Sequence, residues 1–137
     1  MSAASAVLNA HKNVGNPGVQ ELIQGTSCPS NITEQIGKTR STISHILNIK
    51  DDRLLVIVGP CSIHDTEAAL NCAHRLSHIK KHFDNNLCII MRCNLEKPRT
   101  RVGWKGLIYD PYLDGSSDME TELIKARKLL LDINTLD

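Results

Sequence analysis

The chain has 137 residues, enough for one ordinary globular domain, and its 16 Lys+Arg against 15 Asp+Glu leave a formal charge of +1. A balance so close to neutral excludes any general attraction to nucleic acid or to a membrane surface. Hydrophobic residues make up 41% and aromatic residues 3%, which describes a soluble protein whose core is filled by Leu, Ile and Val.

Residues 1–30 are predicted to form an N-terminal arm. Gly15, Pro17, Gly18, Gly25 and Pro29 punctuate it without a sustained period, so an extended segment is expected. It has no basic leader followed by an apolar core, which speaks against a secretory signal, and no apolar run approaches the ~20 residues of a membrane span. Asn31 is placed to cap a helix, with Glu34 reaching back in a capping box. Ile32, Ile36, Ile43, Ile46 and Leu47 then recur near helical spacing and form one apolar face through about Ile49.

Asp51 and Asp52 break this pattern before Leu54–Val58, five consecutive Leu, Val and Ile residues that read as a strand buried on both faces. Asp65 is the expected cap of a helix over Thr66–Phe83, whose buried face would carry Ala69, Cys72, Ala73, Leu76, Ile79 and Phe83. A turn at Asp84-Asn85-Asn86 leads to a second strand, Leu87–Met91, so the order strand, helix, strand predicts a βαβ unit. Ser117 and Glu120 form a second capping box ahead of a last helix, with Met119, Leu123, Ala126, Leu130 and Ile133 on one face.

Two stretches carry chemistry. Gly59 to Asp65 reads GPCSIHD directly after the first strand, and Arg92 to Gly106 reads RCNLEKPRTRVGWKG directly after the second. The latter holds Arg92, Lys97, Arg99, Arg101 and Lys105 against a single acid, Glu96. Such a density of cations suits a ligand with several phosphate or carboxylate groups, although on charge alone a solvated basic loop is the favoured reading. Pro98 holds Lys97 extended. Cys61 is a candidate metal ligand, since a thiolate binds divalent metals, while a lone cysteine is more often a small buried hydrophobe. His74, His78 and His82 recur every four residues on one helix face, an arrangement able to bind a metal, but Lys80 and Lys81 beside them favour a solvated surface. The five cysteines are odd in number and lack CxxC spacing, as expected of reduced thiols in a cytoplasmic protein.

GPCSIHD at Gly59–Asp65, EKPRT at Glu96–Thr100, VGWKGLI at Val102–Ile108 and ARKLLLDIN at Ala126–Asn134 together resemble the class I 3-deoxy-D-arabino-heptulosonate-7-phosphate (DAHP) synthases. The resemblance spans about Asp51 to Asn134. It implies an α/β fold, the N-terminal part of a (β/α)8 TIM barrel with about two strand-helix units, preceded by the arm and its helix. Because such a barrel usually needs about 250 residues, the chain is expected to be part of a larger enzyme and inactive alone. The implied reaction condenses phosphoenolpyruvate with erythrose 4-phosphate and releases phosphate, opening the shikimate pathway to aromatic amino acids. The resemblance makes Cys61 a ligand of a divalent metal ion, which would polarise the sugar aldehyde. By the same resemblance Arg92 and Lys97 contact phosphoenolpyruvate, with Lys97 a candidate catalytic proton donor or carboxylate anchor. Arg99 and Thr100 would hold the phosphate of erythrose 4-phosphate. Asn94 departs from the family's usual aromatic and is expected to loosen one wall of the site. Homo-oligomers are implied for the full-length enzyme, with neither nucleic acid nor membrane as partner. The alternative is a non-catalytic remnant that senses a metabolite or binds the full-length synthase.

Overall fold

A computed structural model describes residues 18–97, 103–104, 106–109 and 119–136. In chain order the elements are α1 (Val19–Gly25), α2 (Ser30–Leu47), β1 (Leu54–Val58), α3 (Thr66–Phe83), β2 (Leu87–Met91) and α4 (Met119–Asn134). The strands pair in parallel, in the register Leu54↔Leu87 through Val58↔Met91, with α3 as the crossover between them. A parallel pair needs such a crossover, because a hairpin cannot return the chain to the same end. The predicted βαβ unit is therefore present, with its strand and helix limits as expected.

The arm departs from expectation. Residues 19–25 form α1 rather than extended chain, with the Gly18 amide donating to Glu21 Oε2 at 3.0 Å and Gly25 ending the turn. Arg127 Nε reaches back from α4 to the Thr26 carbonyl at 3.0 Å. Composition hid this helix because seven residues are too few to show a period.

The start of α2 also differs. Pro29 occupies the cap position with φ −58° and ψ 147°, and no side chain caps the helix. Proline's fixed φ and extended ψ put the boundary there, so Asn31 lies inside the first turn. Glu34 turns to Lys38 instead, at 2.7 Å on one exposed helical edge. The end of α2 is closed by a Schellman arrangement: Lys50 N–H bonds the His45 carbonyl at 2.9 Å and Ile49 N–H bonds the Ile46 carbonyl at 3.0 Å.

At α3 the expected cap is formed: Asp65 Oδ1 accepts from the amides of Glu67 at 2.8 Å and Ala68 at 3.1 Å. Ala69 and Ala73 are buried as predicted, but Ile79 and Phe83 stay 44% and 49% exposed. Length explains it. Eighteen helical residues span about 27 Å, whereas five strand residues span about 17 Å, so the last turns overshoot the sheet.

Burial on both faces of β1 is not observed: Leu54 and Ile57 are each 65% exposed and Val58 40%. Among the described residues β1 has only β2 beside it in the sheet, and α2 covers its faces only in part. β2 fares better, with Cys88 and Ile89 buried. The core is a cluster of Ile63, Ala69, Leu107 and Leu129, against which Leu70, Cys93, Leu95 and Ile133 pack. On α4 the buried line runs Glu122, Ala126, Leu129 and partly Ile133, while Leu130 is 37% exposed. The buried line is turned from the expected face and includes Glu122, which is fully buried with Lys125 Nζ 3.4 Å from its Oε1. Ser117 and the Glu120 side chain lie outside the described residues.

Candidate functional site

Both chemical stretches leave the sheet at the same end, because parallel strands carry their following loops to one edge. The ladder does not stop at Val58 and Met91. Arg92 N–H donates to the Val58 carbonyl at 2.8 Å, and Ile63 N–H donates to the Asn94 carbonyl at 2.8 Å, so the two loops are zipped together beyond the strands. Between these bonds the chain must pass very close to itself at Gly59. A methyl group at Gly59 would overlap the Arg92 carbonyl oxygen, so only glycine fits the start of GPCSIHD. Ile63 is the buried plug of this loop, set in the core with Leu107 and Leu129.

Side chains reinforce the pairing. Arg92 Nη2 donates to the carbonyls of Gly59 and Pro60, both at 3.2 Å, which fixes one edge of the guanidinium against the first loop. Its Nε and Nη1 make no hydrogen bond to the described residues, and the side chain is exposed. Asn94 Nδ2 donates to the Cys61 carbonyl at 3.4 Å. Asn94 therefore ties the two loops, where the missing aromatic was expected to loosen the wall. A short amide in place of a bulky ring reaches a backbone acceptor across the gap.

Cys61 is exposed at this rim, with its thiol free. His64 is exposed beside it and meets Trp104 edge to face, with ring centroids 6.2 Å apart, a contact that joins the two loops. The second loop folds back on itself through Gly106, whose φ is +122°. A side chain there would fall 2.5 Å from the Leu95 carbonyl and 3.1 Å from the Lys97 amide. Leu107 then enters the core, and Tyr109 Oη donates to Glu96 Oε1 at 3.4 Å. This folding holds the half-buried Lys97 at the same edge as Arg92 and Cys61. Arg99 and Thr100, with Pro98, Arg101 and Lys105, lie outside the described residues. Cys93, half-buried against the core, has its thiol pushed up by burial and is not an activated nucleophile. Tyr109 is the contributor that sequence reading missed, since a tyrosine does not signal a loop tie on its own.

Comparison with known proteins bears on this edge directly. The model of the DAHP synthetase I family matches residues 28–136, which is most of the chain. The chain belongs to the DAHP synthetase I family. The match includes Cys61, Arg92, Lys97, Arg99 and Thr100, and leaves out α1. Among curated relatives, the Trp-sensitive phospho-2-dehydro-3-deoxyheptonate aldolase of Buchnera aphidicola from Schizaphis graminum is 51% identical over 116 residues, covering 85% of this chain and 33% of the relative. The Tyr-sensitive phospho-2-dehydro-3-deoxyheptonate aldolase of Escherichia coli is 52% identical over 99 residues, covering 72% of this chain and 28% of the relative. The solved phospho-2-dehydro-3-deoxyheptonate aldolase of Francisella tularensis superposes with a TM-score of 0.81 at 42% identity, covering 89% of this chain and 37% of that one. The chain thus spans about a third of the length of these family members.

Proposed function

We propose that this chain is the first part of a DAHP synthase, in which α3 and α4 with β1 and β2 are the opening strand-helix units of a (β/α)8 barrel. The enzyme would condense phosphoenolpyruvate with erythrose 4-phosphate, giving DAHP and inorganic phosphate. The observation that carries this reading is the zipped pair of loops at the C-terminal edge of the parallel strands, the edge at which barrel enzymes place their sites. The open edge of the Arg92 guanidinium and the Lys97 ammonium would hold phosphoenolpyruvate, whose carboxylate and phosphate both suit charge-assisted bonds. Arg99 and Thr100, past the rigid Pro98, would hold the phosphate of the sugar. Lys97 would also donate a proton to the aldehyde oxygen as the new C–C bond forms, or anchor the carboxylate of phosphoenolpyruvate. Holding both anions in register removes much of the entropic cost of a two-substrate reaction.

For a divalent metal the fit is partial. Cys61 offers one soft, exposed donor at the rim, but no three His, Cys, Asp or Glu side chains converge among the described residues. Cys61 would be one ligand, completed by residues elsewhere in the enzyme, and no step is assigned to the ion here. The exposed apolar residues Leu54, Ile57 and Val58 agree with the barrel reading, since further strands would cover them.

The test uses an enzyme in which residues 28–136 of this chain replace the matching segment of the Francisella tularensis aldolase. Arg92→Ala should raise KM mainly for phosphoenolpyruvate and Arg99→Ala mainly for erythrose 4-phosphate. Each loses a charge-assisted contact of roughly 1.5–3 kcal/mol, on the order of tenfold or more in KM. Loss of affinity for the same substrate in both variants would defeat the assignment of two anion sites.

A further inference from the structure

The opposite end of α3 carries a second constellation that the synthase reading does not use. His74, His78 and His82 are all exposed on this 18-residue helix. Residues four apart on a helix face one another, and two imidazoles at that spacing can close on one metal ion. One of these rings is also fixed. His82 Nδ1 lies 3.0 Å from the His78 carbonyl oxygen. A carbonyl only accepts, so Nδ1 of His82 carries the proton and Nε2 keeps its lone pair directed away from the backbone. Donation of the second ring nitrogen to a backbone carbonyl is the arrangement that orients metal-binding histidines. His74 has no such bond; its own carbonyl accepts from Ser77 Oγ at 2.9 Å.

We infer that His78 and His82 form a surface chelate for a borderline divalent transition metal, Ni2+, Cu2+ or Zn2+, separate from the Cys61 rim. Imidazole nitrogens select these ions over Mg2+ or Ca2+, which take oxygen ligands. The site is two-coordinate from protein, with solvent completing it, because no third His, Cys, Asp or Glu joins the pair among the described residues. Its position near the C-terminal end of α3 favours a cation, through the negative end of the helix dipole. Arg75 and Lys81, three residues to either side of His78, oppose it and keep the affinity modest. Thirteen residues separate His78 from the cap Asp65, about 20 Å along the axis, so the ion cannot share ligands with Cys61. The consequence is practical: metal bound here would be counted as active-site metal in any analysis of metal content.

Nickel(II) is the probe, since copper(II) would oxidise the free thiols. The full 137-residue chain carrying Cys61→Ser is titrated calorimetrically, with far-UV circular dichroism confirming equal helix content in each variant. One nickel ion should bind, with affinity falling at least tenfold in His78→Ala and in His82→Ala and by less than twofold in His74→Ala. The inference is overturned if no nickel binds, if either His78→Ala or His82→Ala changes affinity by less than threefold, or if His74→Ala loses as much as they do. Because the starting chain already lacks the Cys61 thiol, these outcomes are independent of the synthase reading.

Discussion

Ile49 shows how much a single residue can hold in reserve. It sits at φ +57°, the left-handed position that follows α2, and its side chain is 88% exposed. A β-branched residue there is strained without any packing in return, whereas glycine is the usual occupant of such a helix end. Ile49→Gly is therefore expected to stabilise the chain by about 1 kcal/mol, read as a rise in the midpoint of thermal or urea unfolding. A lower midpoint would show that Ile49 is held by more than its backbone. Four residues on, Arg53 places Asp51 under a different constraint. The Arg53 guanidinium, 2.7 Å away, and the Arg53 amide hold the Asp51 carboxyl well below its ordinary 3.8, at about 2. A carboxylate whose pKa is depressed on folding contributes stability above its unfolded pKa and loses it as the proton returns. That contribution should be complete above about pH 4 and fade between about pH 4 and 2. In Asp51→Asn the dependence of the unfolding midpoint on pH should flatten within that window, and an unaltered slope would remove Asp51 from the account.

At the level of elements, α3 is the one whose limits depend on a single residue. Asp65 supplies both bonds to the first-turn amides, and its negative charge sits at the positive end of the helix. Asp65→Ala should cost about 1 kcal/mol, while Asp65→Asn, which keeps the accepting oxygen, should recover most of it. Equal losses in the two variants would place the effect in charge rather than capping. The sequence showed β1, β2, α3 and α4 clearly because apolar runs and periods are strong signals over those lengths. It did not show α1, which is too short for a period, or the start of α2, where Pro29 outweighs the capping preference of Asn31. The buried line of α4 includes Glu122, a carboxylate that an apolar period does not mark. At the rim, Cys61 and Lys97 stand in the motifs GPCSIHD and EKPRT, and Arg92 opens the basic stretch after β2, so each drew attention as a candidate. The ties that hold them, Asn94 to the Cys61 carbonyl and Arg92 to the Gly59 and Pro60 carbonyls, were not legible, because they join positions about 33 residues apart.

On the scale of the molecule, the described residues make a parallel pair flanked by helices, with both motif loops at one edge and much of β1 bare. No helix among them is long and apolar enough to cross a membrane. On the proposed function this piece is the opening of a synthase rather than a sensor that kept the loops and lost the chemistry. The direct measurement is phosphate release from phosphoenolpyruvate and erythrose 4-phosphate by the Francisella tularensis aldolase carrying residues 28–136 of this chain, alongside the 137-residue chain alone. The predicted result is turnover that needs both substrates in the combined enzyme, and none in the separate chain, where three metal-ligating side chains do not meet among the described residues. A combined enzyme that folds with the circular dichroism of its parent and still releases no phosphate would contradict the account.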